Sequence, residues 1–544
     1  MMAYAYLTQL FTDGMNKDYD PGALDLTMQN QTISVVSDSA NMVFERGLAH
    51  TRLGLAPVPG PPAPLPSTAN LRVVRMIPVG PRSVAGVSLT RGGFAITDAP
   101  KLYSLQALAT SFALNPFEIT GPGFTGFSGW YNDSALVNGV VMIAGNGTGL
   151  IRWDPAAAVY TVVANSPYQY VTGHLSRAVA AYDLSLAPTG YAQTVAWSKP
   201  GDETVWTGAT NGSGKTILAD VEDSITGIKV AKGTIVLART YGFHLGIPTG
   251  QFPAVYDWRK ISSNSIGVMH PASLVVYKDI LFFMSECGIH MFDLVDITDI
   301  GEGIHQEILA LIRQSNVVVR GFISPGYDPD FQPSYNLCLD TERQFNFIPG
   351  VGPAAEVNFP HYSFNLREKK WSRHFYVDQT HTTPTWSPLI FNAEFIPNFS
   401  NADPPSQSFV AVYQRVAGAS PTLLQWTANV NLDTPAYLTT CQFTMADPTQ
   451  DVQMERILMT YNCPPTGGGI VVTATLSFTL NGVTNSVATT ITTYPAAGWD
   501  RRWFNLRAVG NMMSLTLSFP IGTPSNFQLK SLMFEYTSVA KVRT

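Results

Sequence analysis

Apolar and polar positions alternate most clearly over residues 192–304, where three similar units follow one another. AQTVAWSKPGDETVW reads as a strand, a Pro-Gly-Asp turn and a second strand ending on Trp206. In ITGIKVAKGTIVLARTYGFHLGI, residues 228–230 and 235–238 flank a Lys-Gly turn, and an aromatic strand comes after them. In ASLVVYKDILFFMSECGIHMFDL, residues 274–277 and 280–284 flank Lys278-Asp279, and a third strand follows the Glu-Cys-Gly turn. Short β-branched and aromatic runs divided by such dipeptides predict hairpins, because a tight reversal needs residues that tolerate positive φ. Repeats at a spacing of roughly 40 to 50 residues predict the sheets of a β-propeller, with roughly six or seven blades.

The same pattern runs through FSGWYND, ALVNGVVMIAG and GLIRWDPAAAVYTVV between residues 117 and 163, where Asn138-Gly139 is among the strongest short hairpin signals available. Before it, LRVVRMIPV and VAGVSLTRGGFAITDAPKLYSL read as strands about the Arg91-Gly-Gly turn. Beyond residue 317, YNLCLDTERQFNFI, HYSFNLREKKWSRHFYV and SFVAVYQRVAGASPTLLQWTA supply three more strand groups. Only residues 303–315, GIHQEILALIRQS, carry helical spacing, with Ile304, Ile308, Leu311 and Ile312 three and four apart. From about residue 431 the strands lengthen, alternate strictly and become Thr-rich, which predicts a half-buried antiparallel sheet in a separate β-sandwich. Residues 1–26 show no clean period and read as an arm or loop. Residues 57–66, PVPGPPAPLP, lack the donors for helix or sheet interior and read as a stiff spacer. The expected organisation is therefore all-β, with an N-terminal arm and Pro-rich linker over 1–70, a β-propeller over 71–430 and an antiparallel β-sandwich over 431–544.

Composition sharpens this picture. Hydrophobic residues make up 45% of the 544 positions and charged residues 13%, about half the charged share of roughly 25% usual in soluble domains. Either uncharged polar groups form much of the surface, or partners cover it. A net charge of −6 and the absence of any basic run argue against a protein that grips nucleic acid. A mildly acidic wall can still surround DNA without holding it, since like charge keeps phosphates away. The first residues lack the basic region and apolar core of a secretory signal, and no apolar run reaches the length that spans a bilayer. A soluble protein made in a reducing cytoplasm is expected, so the Asn146 and Asn211 triplets carry no glycosylation meaning. The four cysteines, Cys287, Cys338, Cys441 and Cys463, have no metal-site spacing and read as buried free thiols.

Few motifs suggest chemistry. ATNGSGKT, residues 209–216 with Lys215, matches a relaxed phosphate loop, but the text after it returns to strand where a helix is needed, and a turn between blade strands fits better. SKPGDETVW loosely resembles the Asp-box turn of sialidase propellers, though its spacings differ. Sugar hydrolysis would need two converging carboxylates; Asp202, Glu222, Asp223 and Asp293 are candidates, read as solvated surface groups. Asp18 with Asp20 and Asp328 with Asp330 have calcium-like spacing but lack the Gly and distal Glu of an EF-hand, so loop turns are expected. The nine histidines are scattered without a zinc or hydrolase motif, and His174 reads as a hydrogen-bonded structural imidazole. No catalytic, cofactor-binding or metal-binding residue is assigned, and no enzyme activity is expected.

The order Trp197-Ser198, Pro-Gly-Asp, Trp206, then Asp223-Ser-Ile-Thr-Gly227, then ISSNSIGVMHPASLVVYKDILFFMSECGIHMF resembles the β-propeller tail nozzle proteins of short-tailed bacteriophages, also called packaged-DNA stabilisation or tail accessory proteins. The early segment ANMVFERGLAHTRLGL and the closing strands LKSLMFEYTSV are similar to the entry segment and the sandwich of that family; residues 1–26 and the Pro-rich spacer depart from it. The resemblance implies a virion component made in the host cytoplasm. It would be a ring, a hexamer, below the portal and its adaptor, with tail fibres or spikes as neighbours. Such a ring holds back packaged double-stranded DNA, lets it pass without specific binding, and meets the host surface at ejection. The alternative is a propeller adhesin that binds or hydrolyses host glycans, with Trp130, Trp258 and Trp386 as sugar platforms. A monomeric intracellular scaffold comes third.

Overall fold

A computed structural model describes residues 5–17, 32–52 and 54–57, the strands between 73 and 118, 133–313 apart from short loop gaps, 317–324, 333–341, 361–374, 394–397, 407–413, 422–427, and 432–539 apart from further loop gaps. The fold is all-β: a propeller and an antiparallel sandwich. Among the described residues, seven four-stranded antiparallel sheets form the blades. In chain order their first strands are Val73–Val79, Ser134–Val137, Tyr168–His174, Ile225–Ala231, Val275–Tyr277, Val317–Ser324 and Glu394–Pro397. These first strands pack side by side from blade 2 through blade 7 and on to blade 1.

Turn chemistry explains where several blade hairpins form, whereas the strand expected to end on Trp206 is corrected: Lys199 and Asp202 make only an isolated bridge, and the strand after Thr194–Trp197 is Gly214–Ile217. The hairpin between the first two strands of blades 2, 4 and 5 turns on Asn138-Gly139, Lys232-Gly233 and Lys278-Asp279, and all six residues sit at positive φ, as a type I′ turn requires. Blade 3 makes the same reversal on Leu175-Ser176, with φ of 48° and 57°, although neither residue signals a turn. Each turn also holds its neighbour. Asn138 Nδ2 donates to Ser176 O at 3.2 Å, His174 Nε2 donates to Gly233 O at 2.9 Å, and the Lys232 N–H donates to Asp279 Oδ1 at 2.7 Å. Blades 2, 3, 4 and 5 are thereby stitched together along one face. Close packing between blades requires Gly321, where a Cβ would lie 2.4 Å from Ser273 O.

Blade 7 closes with a strand from far upstream. Its sheet runs Glu394–Pro397, Gln407–Tyr413, Thr422–Thr427 and then Gly54–Pro57, with Trp426 opposite Leu55. Pro57, expected at the head of a spacer, is thus the end of a propeller strand; residues 58–66 lie outside the described residues. Arg91 and Glu222 also lie outside them, as do Asp18, Asp20, Asp328 and Asp330.

The sandwich is built from both ends of the chain. Its strands are β1 (Ala5–Met15), β2 (Thr32–Ala40), β3 (Met42–Glu45), β4 (Leu48–Thr51), β5 (Ala436–Thr440), β6 (Asp451–Asn462), β7 (Ile470–Leu480), β8 (Val483–Thr493), β9 (Asp500–Gly510), β10 (Met512–Phe519) and β11 (Gln528–Val539). One layer continues from β1 through β2, β5, β10 and β7 to β8, and the other joins β9, β6 and β11. The arm or loop expected over residues 1–26 is corrected over 5–15, which form β1, antiparallel to β11 and parallel to β2. Alternation predicted the inner faces: Val472, Ala474 and Leu476 of β7 and Met513, Leu515 and Leu517 of β10 are buried, with Phe504 and Leu506 of β9 among the core residues. The predicted helix is α1 (His305–Ile312), which follows blade 5.

Candidate functional site

Among the described residues, no sequence-suggested motif becomes a reaction centre. Lys215 is exposed on Gly214–Ile217, the outer strand of blade 3, and no helix follows it; residues 209–211 lie outside the described residues. Asp202 accepts from the Thr204 hydroxyl at 2.6 Å, which holds its carboxyl below the usual range. Asp223 braces Arg239 at 2.8 Å and caps the Tyr241 N–H at 3.0 Å. Asp293 accepts the N–H groups of Val295 and Asp296. Each of the three carboxylates is engaged in its own turn. His174 accepts from the Tyr256 hydroxyl at 3.2 Å while its Nε2 binds Gly233 O, so it is a structural imidazole between blades 3 and 4. Among the described residues no three His, Cys, Asp or Glu side chains gather as a metal-holding group.

One pairing looks chemical. Ser285 Oγ lies 2.9 Å from His290 Nε2. The serine is buried, however, and its oxygen already accepts the Cys287 and Gly288 N–H groups, so it braces the turn and is withheld from substrate. Cys338, Cys441 and Cys463 are buried free thiols, and burial pushes the Cys441 thiol up to about 12. Cys287 departs from expectation: it is exposed.

Two arrangements were not legible as sites. The first joins the propeller to the sandwich around Arg373, on Lys370–His374, the outer strand of blade 6. Its guanidinium donates to Glu307 of α1 at 2.6 Å, to Asp38 of β2 at 2.5 Å, to the Tyr437 hydroxyl of β5 at 2.7 Å and to Ser39 O at 3.1 Å. Lys17 adds a second cation, 3.1 Å from Glu307 and 3.5 Å from Asp38. Burial works against the Arg373 charge, but Glu307 and Asp38 more than offset it, and its pKa lies above the ordinary value. Around this knot one apolar cluster runs without a break from Phe282, Tyr335 and Trp371 of the propeller to Leu7, Phe443 and Phe534 of the sandwich.

The second arrangement is at one end of the sandwich, where Tyr494, Trp499 and Trp503 are 52%, 45% and 41% exposed. Each ring carries a cation: Arg502 lies 4.6 Å from the Tyr494 centroid, Lys530 5.7 Å from Trp499 and Arg456 4.3 Å from Trp503. Such pairing orients the rings. Of the tryptophans suggested as sugar platforms, Trp130 and Trp386 lie outside the described residues. Trp258 is half-buried and lies against Gly246, where a Cβ would come within 2.6 Å of the ring.

No protein family matches the chain, and no curated protein is similar to it. Similar solved structures exist. The extracellular domain of a hybrid two-component system from B. thetaiotaomicron is 8% identical with a TM-score of 0.36, over 74% of this chain and 45% of that one. This chain thus spans less than half of that chain. An exo-β-1,3-galactanase from Phanerochaete chrysosporium is 8% identical with a TM-score of 0.22, over 88% and 100% of the two chains. A glycoside hydrolase family 43 arabinoxylan arabinofuranohydrolase from Bacillus subtilis is 8% identical with a TM-score of 0.20, over 98% and 100%. Likenesses this low assign neither substrate nor activity.

Proposed function

We propose that this chain is a structural subunit of a short-tailed bacteriophage tail, a nozzle or hub in a ring below the portal and adaptor, and that it performs no reaction. Such a ring retains packaged DNA and then supplies the channel through which it leaves. The observation that carries this reading is the junction at Arg373, with the unbroken apolar cluster around it. It makes propeller and sandwich one stiff piece, as a tube wall under the load of packed DNA requires. The resemblance-bearing residues support it, since they serve packing: Asp223 braces Arg239, and Trp206 Nε1 donates to Glu203 O at 2.8 Å within a buried cluster. A closed ring of identical subunits repeats one head-to-tail interface, and a chain with few charges suits wide subunit contacts. The test is an image of the assembled particle with this chain labelled. Label in a ring at the distal tail is the expected result; label on the capsid or absent from the particle ends the proposal.

A second reading is a host-glycan-binding adhesin, favoured by the exposed rings of Tyr494, Trp499 and Trp503. Binding of host polysaccharide by the isolated chain, lost in Trp499→Ala and Trp503→Ala, would support it. Undiminished binding by both variants would remove these rings from it.

A further inference from the structure

Strand β8 is an open sheet edge of unusual chemistry. It spans 11 residues, Val483–Thr493, or about 36 Å at roughly 3.3 Å per residue. It pairs in full register with β7, from Leu480 opposite Val483 to Ile470 opposite Thr493. Among the described residues no strand pairs its other side. An open row of N–H and C=O groups recruits any strand that reaches it, so folded proteins blunt their edges with charge, proline or short length. Two other outer edges follow that rule. Tyr256–Ile261, outermost in blade 4, carries Asp257, Arg259 and Lys260, and β9 carries Asp500, Arg501, Arg502 and Arg507. On β8 there is neither charge nor proline, and from Ile457 to Trp499 the chain holds no charged side chain. Thr484, Ser486, Ala488, Thr490 and Thr492 are exposed along one face, and Val483 and Tyr494 stand 60% and 52% exposed at the two ends.

We infer that β8 is the docking edge for a strand of a second copy of this chain, which extends the sandwich sheet from one subunit into the next. The charge distribution selects the occupant. Two copies at −6 each repel wherever their charged surfaces meet, and the uncharged β7–β8 hairpin is where they can approach at least electrostatic cost. Main-chain hydrogen bonds supply the attraction, and Thr and Ser side chains facing across the new pair add to it. This rests on the ring proposed above and deepens it by naming one side of the repeated contact.

The full-length protein tests it in two ways. Light scattering would follow assembly across a concentration series for the natural chain, for A488K/T490K and for the uncharged control A488S/T490S. Hydrogen exchange would follow the β8 amides at the lowest and highest concentrations, with thermal melting confirming that each variant folds. The expected result is assembly of the natural chain and the serine control, association weakened at least tenfold in the lysine variant, and the outward-facing β8 amides, those not bonded to β7, protected only in the assembled form. If the natural chain assembles while the lysine variant matches it, or while the outward-facing β8 amides still exchange freely, the docking edge is wrong and the ring stands. A natural chain that stays monomeric throughout overturns the ring and the docking edge together.

Discussion

His361 and His374 face each other across adjacent strands of blade 6, with ring centroids 5.4 Å apart. Both are buried against the sandwich, close to His50 and Arg52. Burial, reinforced by Arg52, pushes the His361 imidazole from its ordinary 6.5 down to about 3. Burial, and then the nearby His361, Arg52, His50 and Arg373, drive His374 well below its ordinary value. His361 Nε2 donates to Asn336 Oδ1 at 2.9 Å, which fixes its neutral tautomer. A depressed folded pKa means that the unfolded chain takes up the proton first as pH falls. The stability linked to His361 is whole above about pH 6.5 and is lost as pH falls toward about 3, at about 1.4 kcal/mol per pH unit, and His374 adds a loss of the same sign. Urea midpoints measured between about pH 7 and pH 5 should therefore fall steeply. His361→Gln, which keeps a donor for Asn336, should be less stable at neutral pH but lose less stability on acidification. An unchanged slope would mean that His361 takes up its proton equally readily in the folded and unfolded chains.

At the scale of elements, β1 bridges the two layers of the sandwich, since it pairs β11 on one side and β2 on the other. It also buries Leu7, Phe11 and Met15. Removing residues 1–16 would expose the edges of β11 and β2 and open a cavity along those three side chains. At about 2–5 kcal/mol for each large apolar side chain lost from a core, the sandwich should loosen. Limited proteolysis should then cut between residues 436 and 539, and a truncated chain as resistant as the natural one would show that β1 is dispensable. The role of β1 was not legible because one of its two partners, β11, lies some 500 positions downstream, and a strand between two others needs no strict alternation. The blades were legible for the opposite reason: Asn138-Gly139, Lys232-Gly233 and Lys278-Asp279 announce their hairpins locally. The Leu175-Ser176 turn of blade 3 carries no such signal, and there the register of Tyr168–His174 against Arg177–Asp183 imposes the reversal. The candidate site was less readable still. Trp503 stands beside Arg502 and Phe504 in a strand whose pattern reveals alternation but not which phase faces water, and Arg373 became a junction only through residues 38, 307 and 437.

For the whole molecule, the decisive feature is that the propeller is inserted between β4 and β5 of a sandwich made from both chain ends, so the sandwich is complete only once the propeller's chain has brought those ends together. One apolar cluster crosses the junction, and the Arg373 knot ties α1, blade 6, β2 and β5 at a single point. Two bodies sharing so much buried surface should unfold together, giving one calorimetric transition in place of the two expected of independent domains. Arg373→Met separates these contributions. It fills much of the same volume but leaves Asp38 and Glu307 with Lys17 as their nearest cation, and breaking one partner out of a buried charged pair costs roughly 3–5 kcal/mol. Both carboxylates keep some contact with water, which places the loss at the lower end, about 3 kcal/mol. The variant should melt in two steps, with the sandwich releasing first while the stitched turns of blades 2 to 5 hold the propeller. A single transition merely shifted to lower temperature would mean that the apolar cluster alone couples the bodies, and two transitions in the natural protein would contradict the stiff wall on which the tail proposal depends.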